Sequence, residues 1–489
     1  MEIDGRAKMD RHPIAPLAAA MSLTGNSIQL YTQGELYGAP LLENISGICI
    51  DSRKAERGEL FIPLSGERTD GHFFIEEALQ KGCPACLINR SFFKGHEEKI
   101  RKLEEIYASA FILVDDTLKA LQQMALKHLD SMPDLIRIGI TGSSGKTTTK
   151  EMIGAVLSHR YSTAIAEGNF NSEVGLCLAA LKVRKDHTHA VFEMGMNRRG
   201  EMDILAEIVK PDYALITNIG TAHIGLLGSR EQIAKEKKKI FSFFGGTQIG
   251  FIREDESFLS LLKEEVAGSI RLYGETTTPG IKGIKSSGLY GTEITYEENT
   301  FILPLPGKHN CINALGAISL CRELMVSPED IAEGLKSVRP EFGRSEIIRG
   351  PVTVIQDCYN ANPESVSAAL SLLDTISWEG KKIVVLGDMK ELGDFSASSH
   401  RTLLEKVLSS RADRIFLLGE DFLIAYRALE KEAGLDLSKV RGVYSEIEEL
   451  ISPLKNEAET GDLVLVKGSR SLALEAVVEE LINKEESGA

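Results

Sequence analysis

The segment LIRIGITGSSGKTTTKEMI, residues 135–153, restricts what this chain can become more than any other stretch. It reads as a buried strand, a Gly/Ser turn and then a helix. In such a turn Gly142 and Gly145 let backbone N–H groups close on an anion, with Ser143 and Ser144 between them. Lys146 adds a point charge and the helix N-terminus a partial positive one. Thr147 offers its hydroxyl to a Mg²⁺ bridging two phosphates, and Thr148 completes the set. The longer G-x-x-x-x-G-K-[ST] pattern is absent, because the position five before Gly145 is Ile140; the loop has the shorter T-G-x-x-G-K-T form. A merely serine-rich turn would not need a strand directly before it and a helix directly after. The segment therefore predicts a triphosphate site, for ATP with Mg²⁺, at the end of a strand in an α/β sheet.

At 489 residues the chain is too long for one ordinary core. Three blocks emerge. Residues 1–114 mix short strands (ISGICI, LFIPL, ACLI, AFILV) with FFIEEALQKG, a helix closed by glycine. Residues 115–341 open on the helix TLKALQQMALKHL. They then alternate strands (LIRIGI, HAVFEM, YALITNI) with helices, as βαβ units of a parallel sheet do, and end after the helix HNCINALGAISLCREL. Residues 342–489 carry VTVIQD, KIVVLGD, RIFLLG and DLVLVKG, each followed by a helical stretch, which predicts a second, smaller α/β unit. The expected fold class is α/β in three domains.

A net charge of −15 argues against non-specific binding to nucleic acid or an anionic membrane, while leaving local phosphate sites open. No apolar run reaches the roughly 18 residues of a membrane span. IAPLAAAM at 14–21 lacks a basic segment before it and reads as an ordinary first helix or a loose extension. Seven cysteines, mostly within apolar runs, suit a reducing cytoplasm. Cys83-Pro-Ala-Cys86 has the spacing of half a zinc site; with no second half in the chain, it reads as the start of a buried strand.

In doubly wound sheets ligands bind at the carboxyl ends of the strands. HAVFEM puts Glu193 there, and His223 lies just beyond YALITNI. A carboxylate and an imidazole beside a phosphate loop can hold Mg²⁺ while ATP supplies the remaining oxygens. Either residue alone would read as a loop side chain capping its own turn; three loops opening on one rim favour the metal. The helix IAKEKKKIF (233–241) follows. At about 100° per residue, Ile233, Ala234, Ile240 and Phe241 share a face, Lys235 and Lys239 point away, and Lys237 falls in the middle of the apolar face. Snorkelling is the ordinary explanation. A second explanation uses the site: burial and the charges of Lys235, Lys238 and Lys239 favour a neutral amine. Such an amine reacts with carbon dioxide to give a carbamate, an anion that a second Mg²⁺ would accept.

Several stretches occur in the order found in the Mur ligases: GITGSSGKTTTKEM, EGNFNSEVG, FEMGMNRRGEM, NIGTAHIGLLGS, IAKEKKKIF, PGKHNCINA, DCYNANPES and VKGSRS. With IDSRKAERGELFIPLSGERTDGHFFI near the N-terminus, the chain resembles that family from about Gly47 to Val478. The resemblance implies a uridine-nucleotide-binding first domain, a central ATP-binding domain and a Rossmann-like third. Lys146 and Thr147 would hold ATP phosphates and Mg²⁺. Glu193 and His223 match metal ligands, and Lys237 matches a carbamylated lysine (N6-carboxylysine). Asn310 and Asn313 match adenine-contacting positions; Arg344 and Asp357 match γ-phosphate and ribose contacts. Ser52, Arg53, Asp70, Gly71 and His72 match the uridine-nucleotide pocket. Asn169 and Asn171 would lie towards the muramoyl-peptide, and Tyr359, Asn360 and Asn362 towards the dipeptide. Ser172, Cys177 and Cys358 depart from the usual pattern.

The implied activity is ATP-dependent ligation of D-alanyl-D-alanine to UDP-N-acetylmuramoyl-tripeptide through an acyl phosphate, by a cytoplasmic monomer. DCYNANP favours this acceptor over that of the sibling ligase adding the third residue, which shows a D-N-P-R-type motif. A folylpolyglutamate-synthase-like ligase shares the ATP site but lacks the DSR…DGH block. A nucleotide-binding regulatory protein would have no use for Glu193, His223 and Lys237 together.

Overall fold

The computed structural model describes residues 23–41, 44–66, 69–166, 168, 170–432 and 436–483. Residues 14–21 and Asn169 lie outside that set. The chain divides into two compact units, one built on residues up to Pro133 together with Cys177–Asp186, the other on Asp134–Leu176 and the remainder. The helix Thr117–Asp130 belongs to the first of these. Among the described residues no helix is long and apolar enough to cross a membrane.

The first unit holds a five-stranded sheet in the order Glu35–Gly38, Ala110–Val114, Ala85–Asn89, Glu59–Phe61, Gly47–Cys49. Its first pair is antiparallel and the others are parallel. Phe61, Cys86, Ile88 and Phe111 from the strands meet Ile100 and Leu103 of the helix Arg90–Tyr107 in one core. Asn89 starts that helix, its side chain accepting from Ser91 N over 2.8 Å, the usual way to satisfy a free helical N–H. CPACLI forms the expected buried strand. Burial pushes the Cys83 thiol up to about 12 and the Cys86 thiol well above its ordinary value, so neither is a ready thiolate for metal or redox chemistry. All seven cysteines are buried thiols.

In the second unit a six-stranded, wholly parallel sheet runs Ser269–Tyr273, Ile249–Arg253, Tyr213–Ile216, Ile136–Thr141, His189–Glu193, Thr163–Ile165. Ile138 and Ile140 of the phosphate-loop strand pack with Met152, Val156, Leu315 and Ile318 from the helices Lys146–Ser158 and Lys308–Glu323. A small antiparallel sheet, Ile281–Ser286, Thr292–Tyr296 and Asn299–Leu303, was not expected from the sequence. Thr292–Tyr296 alternates buried and half-buried positions and Asn299–Leu303 ends in a buried–exposed alternation, and Ile294, Tyr296, Phe301 and Leu303 join the same core.

The third of the large sheets, also in the second unit and called the third sheet below, runs Glu346–Ile348, Thr353–Asp357, Leu463–Lys467, Lys382–Gly387, Arg414–Leu418, Val440–Tyr444. The edge strand Glu346–Ile348 is antiparallel and the rest are parallel. All four strands expected in the last block form, and Val354, Val385, Phe416 and Val464 lie in its core.

Candidate active site

Strand order places the site. Ile136–Thr141 lies between Tyr213–Ile216 and His189–Glu193, so the chain leaves the sheet in opposite directions on either side of it. Such a switch point opens a crevice at the strands' carboxyl ends. A cleft of about 650 Å³ occupies it. From the parallel sheet and its helices it takes Ser143, Ser144, Gly145, Lys146, Thr147, Thr148, Asn171, Glu193, His223, Asn310 and Asn313. From the third sheet come Arg344, Asp357, Tyr359, Asn360 and Asn362. Gly142, in the loop, and Lys237, whose Nζ reaches the Gly142 carbonyl, adjoin the cleft without lining it.

The loop is held open by its neighbours. The Asn218 side-chain oxygen accepts from Ser143 N and Ser144 N over 3.1 and 2.9 Å, and Thr217 Oγ1 donates to Ser144 O over 2.6 Å. Tyr273, fully buried, donates its hydroxyl to the carbonyls of Ile216 and Thr217 over 3.0 and 3.2 Å, which secures the clamp itself. Gly142 has no room for a side chain: a Cβ there would lie 1.7 Å from Thr217 Oγ1. Lys146 and Thr147 then open the helix Lys146–Ser158, with the Thr147 side chain buried at its first turn.

Two ammonium groups meet below the loop. Lys146 Nζ donates to Gly142 O over 3.0 Å and Lys237 Nζ to the same oxygen over 2.9 Å. Lys237 is buried with Ile233, Ala234, Ile240 and Phe241, as the periodicity predicts. Burial drives its pKa well below the ordinary lysine value, and the charge of Lys146 pushes the same way. Lys235, Lys238 and Lys239 are not the cause expected from sequence. Lys235 pairs with Glu231 over 2.6 Å, and Lys239 with Asp203 and Glu236 over 2.7 and 2.8 Å. Burial also lowers the Lys146 pKa, opposed by the charges of Glu193 and Glu391.

Glu193 ends its strand fully buried. Oε1 accepts from Asn171 Nδ2 over 2.7 Å, whereas Oε2 has no hydrogen-bond partner among the described residues. A buried carboxylate oxygen left bare is costly unless something cationic fills the gap. With the Thr147 hydroxyl lining the same cleft, the donor set of hard oxygens fits Mg²⁺. His223 lies in the same cleft, its Nδ1 2.6 Å from Glu391 Oε2. The imidazole beside it holds the Glu391 carboxyl below the usual range, although the two atoms meet without hydrogen-bond geometry.

The third sheet supplies the opposite wall. Arg344 stacks over the Tyr359 ring at 4.1 Å and its Nε lies 3.2 Å from Glu341 Oε2. Asp357 Oδ2 accepts from the buried Lys467 over 2.7 Å, and Lys467 also donates to Asn360 O over 3.1 Å. Asn362 caps the helix Pro363–Thr375 and reaches Ser143 O over 3.4 Å. Asn310 Nδ2 donates to Pro306 O over 2.9 Å, while the Asn313 side chain stands over Gly145, where a Cβ would lie 2.8 Å from it.

In the first unit the residues matched to a uridine pocket lie on two short 3-10 turns, Ser52–Lys54 and Gly71–Phe74, the second capped by Asp70. The Ser52 hydroxyl donates to Glu77 over 2.6 Å, and Arg53, exposed, pairs with Asp51 over 2.9 Å. Both His72 nitrogens are engaged: Nδ1 with Asp70 over 2.6 Å and Nε2 with Asn89 N over 3.0 Å. Gly71 lets the chain pass Leu64, since a Cβ would lie 2.8 Å from its backbone nitrogen.

Reading the sequence missed four residues. Lys467 stands in VKGSRS and Asn218 in NIGTAH, motifs whose pattern alone gives neither side chain a role. Glu391 carries no motif of its own. Lys150, completely buried one turn into the phosphate-loop helix, donates to Ala166 O and Gly168 O over 2.5 and 3.0 Å, tying that helix to the segment before Asn171.

A phosphate loop on a parallel sheet, sharing its cleft with a second α/β sheet, is the arrangement of an ATP-dependent ligase, and the chain belongs to the Mur ligase family. Family models match residues 44–128 (Mur ligase family, catalytic domain), 140–321 (Mur ligase middle domain) and 343–470 (Mur ligase, glutamate ligase domain). The chain is 42% identical to the UDP-N-acetylmuramoyl-tripeptide–D-alanyl-D-alanine ligase of Treponema pallidum, over 90% of this chain and 94% of that protein. Its structure is similar to that of MurF from Acinetobacter baumannii, at 31% identity and a TM-score of 0.83, covering 95% of this chain and all of that one. MurF ligase from Thermotoga maritima in complex with ADP is similar at 27% identity and a TM-score of 0.73, covering 90% and 97%.

Proposed function

We propose that this chain joins D-alanyl-D-alanine to UDP-N-acetylmuramoyl-tripeptide, converting ATP to ADP and phosphate. The observation that supports it most is one cleft lined by Lys146, Thr147 and Glu193 from one sheet and by Arg344, Asp357 and Asn360 from the other.

A carboxylate does not acylate an amine at neutral pH, because oxide would have to leave. In the proposed reaction the tripeptide's terminal carboxylate oxygen forms a bond to the γ-phosphorus, and the bond to the β-phosphate oxygen breaks, releasing ADP. Lys146, with Gly145 and the backbone of the loop, neutralises and orients the phosphates as charge shifts, and Arg344 does so from the other wall. The amine of D-alanyl-D-alanine then adds to the acyl carbon and loses a proton, and phosphate departs as the amide forms. Thr147, Glu193, His223 and Lys237 as a carbamate would hold Mg²⁺, which when bound screens the charge between phosphate oxygens. Lys237 reaches the carbamate through its neutral amine, which attacks carbon dioxide and loses one proton.

In this reading Asp357, aimed by Lys467, binds the ribose, and Asn310 and Asn313 border the adenine. Tyr359, Asn360 and Asn362 border the dipeptide, and Asn171 the muramoyl-peptide. In the first unit Ser52, Arg53 and Asp70 contact the uridine nucleotide, while His72 holds Asp70 in place. Closure of the two walls over bound substrates would keep water from the acyl phosphate. The test is to incubate the enzyme with ATP, Mg²⁺, UDP-muramoyl-tripeptide and D-alanyl-D-alanine and weigh the product. One pentapeptide nucleotide per ADP is expected; ADP release that ignores the dipeptide would overturn the assignment.

A further inference from the structure

We propose that Glu391, supplied by the third sheet, is the positioning residue for the His223 imidazole, so that docking of that sheet against the phosphate-loop domain is sensed at the metal site. The inference rests on the reading of His223 as a metal ligand given above.

The two side chains meet at 2.6 Å, His223 Nδ1 to Glu391 Oε2, a close ion-pair contact that a small turn of the ring would convert to a hydrogen bond. A histidine that ligates a metal through one ring nitrogen is commonly oriented by a carboxylate at the other, which fixes both tautomer and ring direction. With the carboxylate facing Nδ1, Nε2 is the nitrogen left to coordinate. Both residues also pay a backbone cost to be there. His223 has φ +63° and Glu391 φ +70°, a region that side chains other than glycine's seldom occupy and that persists where the surroundings enforce it.

The surroundings do enforce it. Gly225 N donates to Glu391 O over 3.2 Å, and a Cβ on Gly225 would lie 2.7 Å from Gly393 N, so backbone lies directly on backbone. Thr221 Oγ1 donates to Glu364 Oε2 over 2.9 Å, and Asn362 reaches Ser143 O. These contacts lock the segment around His223 to the third sheet from several sides. If that sheet moved away, Glu391 would leave with it, and the imidazole would lose the group that aims it.

The test uses the full-length enzyme with a non-hydrolysable ATP analogue and Mn²⁺, followed by electron paramagnetic resonance. His223→Ala identifies the Mn²⁺ affinity to which the ring contributes. Glu391→Ala is expected to weaken that same affinity about tenfold or more, the usual effect of removing a residue that orients a ligand. Glu391→Gln keeps an acceptor for Nδ1–H and should retain most of it. Thermal melting verifies that each variant is folded. Loss in His223→Ala with unchanged binding in Glu391→Ala would overturn the positioning role alone. Unchanged binding in His223→Ala would overturn the metal assignment beneath it.

Discussion

Lys146 and Lys237 donate to the same carbonyl oxygen, that of Gly142, over 3.0 and 2.9 Å. Two cations on one acceptor repel, and the more deeply buried gains most by losing its charge. Lys237→Ala should therefore lower turnover by on the order of a hundredfold or more. Formate or acetate should restore part of the rate by standing in for the carbamate. Steady-state ADP release, with and without added carboxylate, measures both effects; full activity in the unsupplemented variant would refute the modification.

Gly142 lies against Thr217, whose hydroxyl is held by Ser144 O. Gly142→Ala should destabilise the protein by about 1–3 kcal/mol through overpacking, as read by urea denaturation, and should weaken ATP-analogue binding. Adding Thr217→Ala opens the space and should recover part of the stability. If the double variant is no more stable than the single one, the clash is not the cause.

Lys467 is buried and bonded to Asp357 and to the Asn360 carbonyl. Lys467→Met removes the group that aims one nucleotide contact and one segment on the dipeptide side together. The Michaelis constants for ATP and for D-alanyl-D-alanine should both rise, each roughly tenfold, as for the loss of one charged hydrogen bond. Initial rates varied in each substrate separate this from a purely nucleotide effect, in which only the ATP value would move.

Burial holds the rings of His128 and His189 below the ordinary value of 6.5. Above that pH folded and unfolded chains are both neutral at these positions. Below it the unfolded chain takes up protons that the folded one refuses, so stability falls with pH until the folded rings are protonated. The urea midpoint should drop from about pH 7 to about pH 5.5, and His128→Gln should flatten that slope. A slope identical in the variant would remove His128 from the explanation.

Much of the site is legible in the sequence. Strand, turn and helix order located the phosphate loop, and strand ends located Glu193 and His223. Helical periodicity turned Lys237 inward, where it is found. Periodicity says nothing about partners, however, so the charges assigned to Lys235 and Lys239 as neighbours of Lys237 are neutralised elsewhere, by Glu231, Asp203 and Glu236. Glu391 and Lys467 escaped for a related reason. Glu391 meets His223 168 residues away in sequence, and Lys467 meets Asp357 110 residues away. No local pattern encodes such a pairing. The short antiparallel sheet at 281–303 escaped because strands of five or six residues in a polar stretch resemble loops.

The contact between Gly225 and Gly393 is bare main chain on main chain. Such a seam offers a small molecule a surface whose shape is set by atoms common to every amino acid. A compound lodged against it would be hard to escape by mutation: substitutions there would wedge the joint apart instead of reshaping it around the intruder.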